Sequence, residues 1–581
     1  MKSLIAASWL VALSCLLSFN AYGARSLTLD GLFPTNRVVK VSNKVKESDW
    51  DQLRYQTRDR GRIWERQFGP MESPFTYVDA DVTIDGVTFS KVGIRKKGFI
   101  GSLSHTRPSL KVKLNHHKEG ANLGGLTSLT FNNNKQDRGL LTQYMTYSVF
   151  NRVGSPAPRC AFAHVTVNGR NLGVYSHVET VRKPILKREF GSDQGTLYEG
   201  TAVDFDPGWE KSLELKTGDD APGREKIIAI TEALQGPGRY LVDANADARA
   251  WVPRSAGDQS GWTALDFDDS RWIKGKNGLG YESQRGYEDY IDPGLNFEST
   301  MLGRQTSAYL RVPFTLNGLE ALLEEGTPAL RMRYDDGFVA YLNGVKILSV
   351  NAPRNPRWNS VATDSHEASG AMDSFPIEKH AKLLREGRNL IAVQAMNISA
   401  GSSDFLLTAG LQLESKAKLE ALAAHVDMDS FFKFWAVEGL LGFWDGYSGN
   451  RNNYFVYHNP ATDKMHFMPW GADSLFTNES MVRDTRGKPK AVKTKGAVAA
   501  YLFRIPSQRK RYGETISRIL DEHWNEAEML AEMDRLSRML QPYVNSEQSR
   551  FQWRLADMKR FVQGRRTEVL REVNNDFQVN P

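Results

Sequence analysis

Cysteine is nearly absent from this chain: there are two in 581 residues, Cys15 and Cys160. Cys15 lies in an N-terminal segment expected to be removed, which leaves Cys160 alone. That excludes an intrachain disulfide and leaves no second cysteine for a zinc cage or a papain-like pairing. Stability must come from packing. Long apolar runs are missing too: beyond the first residues no stretch reaches 18 uninterrupted apolar residues, so no membrane-spanning helix is expected in the mature chain. Excess charge of one sign is small, 75 Lys plus Arg against 68 Asp plus Glu. It is not concentrated as in a dedicated nucleic-acid binder, so no nucleic-acid partner is expected. The sequence also lacks a GxxxxGK[ST] loop, an HExxH pair, a GxSxG elbow and a 12-residue EF-hand loop. P-loop NTPases, zincins and α/β-hydrolases are thereby without their carriers.

What is present is ordinary for a globular protein: 40% hydrophobic and 25% charged residues, with mean hydropathy −0.46. The length suits roughly three to four domains. Residues 1–23 read as a signal peptide, with Lys2 as the positive start, an apolar run from Leu4 to Phe19, and small residues Ala21 and Gly23 before the expected cleavage. The mature protein is expected to be exported, to a periplasm, the cell surface or the medium. A lipoprotein reading would acylate Cys15, but Ala12 stands where such a site wants a larger aliphatic residue.

Residues 73–115 read as strands. Tyr77 to Ile84 alternates, Asp85-Gly86 supplies a tight turn, and Val87 to Ile94 returns. Ser109 to Leu114 alternates again, with Leu110 and Val112 on one face and Lys111 and Lys113 on the other. Leu140 to Val153 has helical spacing and stops at Gly154. A second hairpin turns at Asn168-Gly169. Composition shifts near Ala250: Trp251 to Glu414 carries short strand-like runs, many turns and recurrent aromatics, as a self-contained β-sandwich does. After it the pattern turns helical. Asp429 can cap a helix buried nearly all round, and Met529, Met533, Leu536 and Leu540 form a stripe that belongs to a core. His366-Glu367 and the basic pairs Arg509-Lys510-Arg511 and Arg565-Arg566 read as solvated surface.

The segment that carries chemistry is Phe443-Trp444-Asp445-Gly446-Tyr447-Ser448-Gly449-Asn450-Arg451-Asn452-Asn453, followed by Trp470-Gly471-Ala472-Asp473. Asp445 to Asn450 is D-x-x-x-x-N, the spacing by which a kinase catalytic loop sets a carboxylate beside the acceptor hydroxyl and an amide on Mg²⁺, with a later aspartate on the metal. Mg²⁺ takes hard oxygen ligands and keeps several waters, so one carboxylate and one amide suffice. Aspartate and asparagine also form turns, and a hydrogen-bonded structural loop explains the spacing equally well.

Together with earlier blocks the chain resembles the atypical kinase family named for spore coat protein H, CotH. Those blocks are Gly93-Ile94-Arg95-Lys96-Lys97-Gly98 with Ser102, Arg107 to Lys113, Leu129 to Asn133 with Asp137, Val167-Asn168-Gly169, Gly173-Val174-Tyr175, Glu179, Leu197-Tyr198 and Glu214-Leu215-Lys216. The likeness covers roughly residues 75–235 and 415–580. Asp266 to Ser270 with Trp272, Asp336-Gly337 with Asn343-Gly344, and Gly387 to Leu390 resemble galactose-binding-like jelly rolls. The expected organisation is therefore a signal peptide (1–23), the N-terminal part of a kinase-like domain (24–249), an inserted all-β jelly roll (250–414), and the C-terminal part with a helical tail (415–581). The fold class is α+β, with two sheets flanked by helices in the main part.

The resemblance implies transfer of a phosphoryl group from ATP, with Mg²⁺ or Mn²⁺, to serine or threonine of exported or envelope proteins. Asp445 would be the catalytic carboxylate, and Asn450, or Asn453, would hold metal with Asp473. Lys111 would meet phosphate, with Lys113 as its alternate. Arg95 and Ser102 would lie at a phosphate-covering loop, and Asp137 or Glu179 would pair with the lysine. The insert would offer a glycan-binding surface or act as a spacer. Gly471 stands where many relatives carry a carboxylate, which puts a second metal in doubt and keeps open a non-catalytic envelope scaffold.

Overall fold

The computed structural model describes residues 27–58, 73–137, 139–235, 239–284, 286–368, 372–478, 489–549 and 551–577. The expected signal peptide lies outside them. Among the described residues no helix is long and apolar enough to cross a membrane. The fold is mixed α+β.

Seven strands near the N-terminus form a closed barrel: β1 (Val39–Val45), β2 (Val78–Ile84), β3 (Val87–Lys97), β4 (Ser109–Lys113), β5 (Ser128–Asn132), β6 (Cys160–Val167) and β7 (Arg170–Val178). The two expected hairpins are there, with Asp85, Gly86, Asn168 and Gly169 all at positive φ, as primed turns require. The sheet they belong to closes on itself. Strand β1 pairs parallel with β6, Val41 opposite Val165, and antiparallel with β2, and so joins the two edges. Alternation along each strand then points Val39, Val41, Val82, Ile84, Ile94, Leu110, Val112 and Leu129 into one interior, all nearly inaccessible to water. The outer face of β3, β4 and β5 is left with Arg95, Lys97, Lys111, Lys113, Thr130 and Asn132.

The next strands, β8 (Thr196–Gly200) and β9 (Glu214–Thr217), belong to a second sheet that is completed only after an insert. The insert holds β10 (Arg239–Val242), β11 (Asp247–Trp251), β12 (Ile273–Lys276), β13 (Leu279–Glu282), β14 (Ser307–Leu316), β15 (Gly326–Tyr334), β16 (Gly337–Leu342), β17 (Val345–Val350), β18 (Asp373–Pro376), β19 (Gly387–Met396) and β20 (Asp404–Ser415). Its six-stranded sheet runs β12-β11-β14-β19-β16-β17; the other runs β10-β20-β15-β18, with β13 also on β20. They enclose a core of their own that includes Leu310, Leu330, Phe338, Ile391 and Leu407. Because β10 pairs with β20, this unit begins ahead of the expected boundary at 250. Trp262 stacks on Tyr309 and Trp272 on the outer side of the six-stranded sheet.

After the insert comes the helix Met428–Leu441, buried nearly all round, as expected. Its N-cap is Asp427, whose side chain accepts from Ser430 N at 2.9 Å; Asp429 lies two residues too late and pairs with Arg511 instead. Strands β21 (Tyr454–Asn459) and β22 (Lys464–Pro469) complete the second sheet in the order β22-β21-β8-β9. The methionine and leucine stripe of helix Glu526–Leu540 is buried. Arg565, expected on a surface, is fully buried on helix Phe551–Asn574. It donates to Gly439 O (2.6 Å), Leu440 O (2.8 Å) and Glu568 (2.7 Å), tying the C-terminal helix to the carbonyls at the end of Met428–Leu441.

Candidate active site

The acidic loop begins where helix Met428–Leu441 stops. Gly442 adopts φ 67°, and Phe443 N donates to Glu438 O at 2.8 Å, turning the chain out of the helix. Three asparagine amides then converge on Asp445. Asn450 Nδ2 and Asn452 Nδ2 donate to its Oδ1 at 2.8 and 3.2 Å, and Asn453 Nδ2 donates to Oδ2 at 2.8 Å. Burial raises the Asp445 carboxyl above the usual range, and the three amides pull against that rise. A residue the sequence reasoning missed holds the loop from behind. Glu438, fully buried, accepts from Tyr447 N (2.9 Å), Ser448 N (2.8 Å) and Ser448 Oγ (2.5 Å). Its carboxyl is pushed up to about 7 by burial, against these donors. Gly446 is required here, since a Cβ would collide with Glu438 Oε1.

Strand β22 delivers the second aspartate. Trp470 N donates to Asn453 O at 2.9 Å, so the segment after the strand lies along the acidic loop. The Asp473 carboxyl is pushed up to about 7, first by burial, then by the neighbouring Asp137 and Asp445 carboxylates, with Lys97 opposing. Gly471 sits at φ 53°, and a Cβ there would collide with Asn453 Oδ1. The missing carboxylate is thus a steric consequence of how Asn453 is seated.

Facing these acids is the outer surface of the barrel. The register puts Arg95 opposite Lys111, Gly93 opposite Lys113 and Lys97 opposite Ser109, so the basic side chains of β3 and β4 share one face. Lys97, not singled out from the sequence, is the lysine that meets the acidic loop. Its Nζ donates to Asn132 Oδ1 at 2.8 Å and lies 5.3 Å from the centre of the Trp470 ring. Burial holds its amine down to about 8; Glu199 and Asp473 oppose that, and Arg95 adds to it. Lys111, expected to meet phosphate, lies toward Glu199. Its amine is held down to about 7 by burial and then by Arg182, Arg95, Lys97 and Lys216. Burial favours the neutral form of Glu199, but Lys216, at 2.7 Å, together with Arg182 and Lys111, keeps it below the ordinary carboxylate range. Lys113 is farther out, 5.8 Å from the Tyr77 ring centre, and Arg95 lies over the same ring while donating to Ser73 Oγ at 2.6 Å.

The remaining expected residues have structural partners. Glu179 is fully buried between two guanidinium groups, accepting from Arg159 Nη2 at 3.0 Å and Arg188 Nη1 at 2.6 and 2.9 Å, and among the described residues it pairs with no lysine. Asp137 caps helix Thr142–Val153, accepting from Thr142 N (2.9 Å) and Thr142 Oγ1 (2.7 Å); its link to the site is its field on Asp473. Ser102 Oγ closes the turn after β3 by accepting from Phe99 N at 3.0 Å. A cavity of about 850 Å³ elsewhere, lined by Arg107, Asn134, Glu547, Trp553 and Arg560, includes none of Lys97, Asp445 or Asp473.

Residues 94–235 and 394–574, the stretches that build this cleft, match the family described as CotH kinase protein. No curated protein matches the chain. Among solved structures, a Bacteroides uniformis beta-glucuronidase 2 bound to an aziridine inhibitor is 13% identical over 30% of this chain and 18% of its own, at TM-score 0.19. An uncultured Clostridium beta-glucuronidase is 13% identical over 31% and 29%, at 0.20. A Bacteroides vulgatus beta-glycosidase is 12% identical over 30% and 20%, at 0.17. The chain spans less than a third of each of these enzymes, and overlaps so slight speak for neither its fold nor its activity. Lys97, Lys111, Asp445, Asn450 and Asp473 all fall within the matched residues, which make up more than half of the sequence, and the chain belongs to the CotH kinase protein family.

Proposed function

We propose that the protein is a phosphotransferase that moves the terminal phosphoryl group of ATP to serine or threonine of exported or envelope proteins. The observation that carries this reading is the convergence of a half-buried lysine, Lys97, on an aspartate, Asp473, beside an amide-cradled Asp445, with Arg95, Lys111, Arg182 and Lys216 along the same cleft. Lys97, Lys111, Arg95 and Arg182 place positive charge beside these acids, which suits a polyanionic triphosphate.

The donor set fits a hard divalent cation. Asp445 and Asp473 repel each other, and the Lys97 amine offsets the charge of Asp473. Asn450 turns its Nδ2 to Asp445, which leaves its Oδ1 as a ligand atom, whereas Asn453 Oδ1 is packed against Gly471. Asp473, Asn450 and one oxygen of Asp445 are therefore the residues that would hold Mg²⁺ or Mn²⁺. Such an ion, when bound, neutralises charge on the transferred phosphate. Lys97 and Lys111 bind phosphate oxygens, and the asparagines orient Asp445, which takes the proton from the acceptor hydroxyl as its oxygen bonds to phosphorus and ADP leaves.

Export is part of the proposal and rests on the N-terminal segment. A non-catalytic scaffold is the second reading, and the observation in its favour is Gly471, which denies the site a further carboxylate. A thermal-shift titration with ATP and Mg²⁺ separates them. Saturation at 100 times the dissociation constant should add about 2.7 kcal/mol to stability, and an unchanged melting temperature would support the scaffold.

A further inference from the structure

The insert brings together carboxylates that play no part in the cleft. Asp335 ends the strand β15 at the turn into β16, Glu367 lies in the segment before β18, and Asp404 opens β20. One carboxylate oxygen from each lies within 4.8 Å of the other two. Asp335 is only 3% exposed, and its Oδ2 is buried without a hydrogen-bond partner. An unsatisfied carboxylate oxygen in that position is costly unless a cation takes it. Its backbone is fixed on β20, Asp335 N donating to Leu406 O at 2.9 Å. Asp336, the next residue along the chain, places a further carboxylate beside the cluster. Asp336 itself is spent on backbone, accepting from His366 N (3.0 Å) and Ile398 N (2.6 Å). Glu367 Oε2 accepts from Tyr287 Oη at 3.1 Å, and Asp404 Oδ1 from Ser402 Oγ at 3.1 Å, which leaves each of these carboxylates a further oxygen.

We infer that Asp335, Glu367 and Asp404 form a calcium-binding site that pins the β15–β16 turn, the 366–368 segment and the start of β20 together. The donor chemistry selects the ion. The set is all oxygen, which disfavours zinc and copper. Three carboxylates from separate segments suit the irregular, oxygen-rich shell of Ca²⁺ better than the small octahedron of Mg²⁺, which keeps its waters and uses one or two carboxylates. The site stands independently of phosphotransfer.

The test uses the full chain and Tb³⁺ as a luminescent stand-in, with the adjacent Tyr287 as sensitiser. The wild type is expected to show saturable Tb³⁺ emission that Ca²⁺ displaces at least tenfold more effectively than Mg²⁺. Asp335→Asn should weaken Tb³⁺ and Ca²⁺ binding at least tenfold. Glu367→Gln, at an exposed position that the fold does not need, should do the same and keeps the test decisive if the Asp335 variant misfolds. Asp473→Asn, in the other acidic site, should remove at most the emission from the cleft and leave the Ca²⁺-displaceable emission sensitised by Tyr287 intact. No saturable emission, unchanged affinity in Glu367→Gln, loss of the Ca²⁺-displaceable signal in Asp473→Asn, or equal displacement by Mg²⁺ would each overturn the assignment.

Discussion

Replacing Asp473 by asparagine should stabilise the metal-free protein while damaging its proposed ligand binding. The Asp473 carboxyl ionises near 3.8 in an unfolded chain and is pushed to about 7 in the fold by burial and by the Asp137 and Asp445 carboxylates. Below pH 3.8 both states are protonated and nothing is lost. Between 3.8 and 7 the unfolded chain releases its proton and the folded one does not, so stability falls as pH rises. Above 7 the folded state carries the whole cost, about 4 kcal/mol at 1.36 kcal/mol per pH unit. Asparagine keeps the shape and removes that cost, but it also takes from Lys97 a neighbouring counter-charge, so about 2 kcal/mol of net gain is expected at pH 8. Asp137, Glu438 and Asp204 are raised in the same way, so the difference between wild type and variant, not the wild-type slope, isolates Asp473. Denaturant titrations in EDTA from pH 4 to pH 8 should show two curves that coincide at the acid end and separate through pH 7, with the variant above. Parallel curves, or a variant less stable at pH 8, would refute the placement of Asp473 among like charges.

Gly471→Asp should not restore a second metal ligand. A side chain at φ 53° with its Cβ against Asn453 Oδ1 displaces Asn453 from Asp445, so isothermal titration should find weaker, not tighter, Mg²⁺-ATP binding. Glu179→Ala strands Arg159 and Arg188 beside a buried void and should cost about 3–5 kcal/mol in denaturant titration, with nucleotide affinity of the folded fraction unchanged. Lys97→Met should weaken ATP binding at least tenfold in the same titration, and Lys113→Met should change it less than twofold, because only Lys97 reaches the acidic loop.

Local pattern carried much of the fold. Both barrel hairpins, the helix ending at Gly154 and the buried methionine stripe follow from turn residues and periodicity. Barrel closure did not, because it depends on a parallel pairing of Val39–Val45 with Cys160–Val167, partners more than a hundred residues apart with no turn between them. The site divides along the same line. Asp445, Asn450 and Asp473 are brought together by neighbouring segments and were legible. Lys97 was hidden inside Arg95-Lys96-Lys97: three consecutive bases look like solvated charge, yet strand alternation turns Lys96 the other way, where its Nζ donates to Arg54 O (2.7 Å) and Gln56 O (2.6 Å). Glu179 misled because a carboxylate at a strand end reads alike whether it meets a lysine or, as here, two arginines, one just before the neighbouring strand and one on the next helix. Glu438 carried no signal beyond being an acid in an otherwise apolar helix, and that anomaly could have marked it.

The most direct test of phosphotransfer is labelled-phosphate incorporation from γ-labelled ATP and Mg²⁺ into a serine- and threonine-rich acceptor protein, run beside ATP binding for wild type and Asp445→Asn. The account predicts incorporation by the wild type and, in Asp445→Asn, ATP affinity within threefold of wild type with incorporation reduced at least a hundredfold. Equal incorporation by the two proteins, or no ATP binding by the wild type, would contradict it.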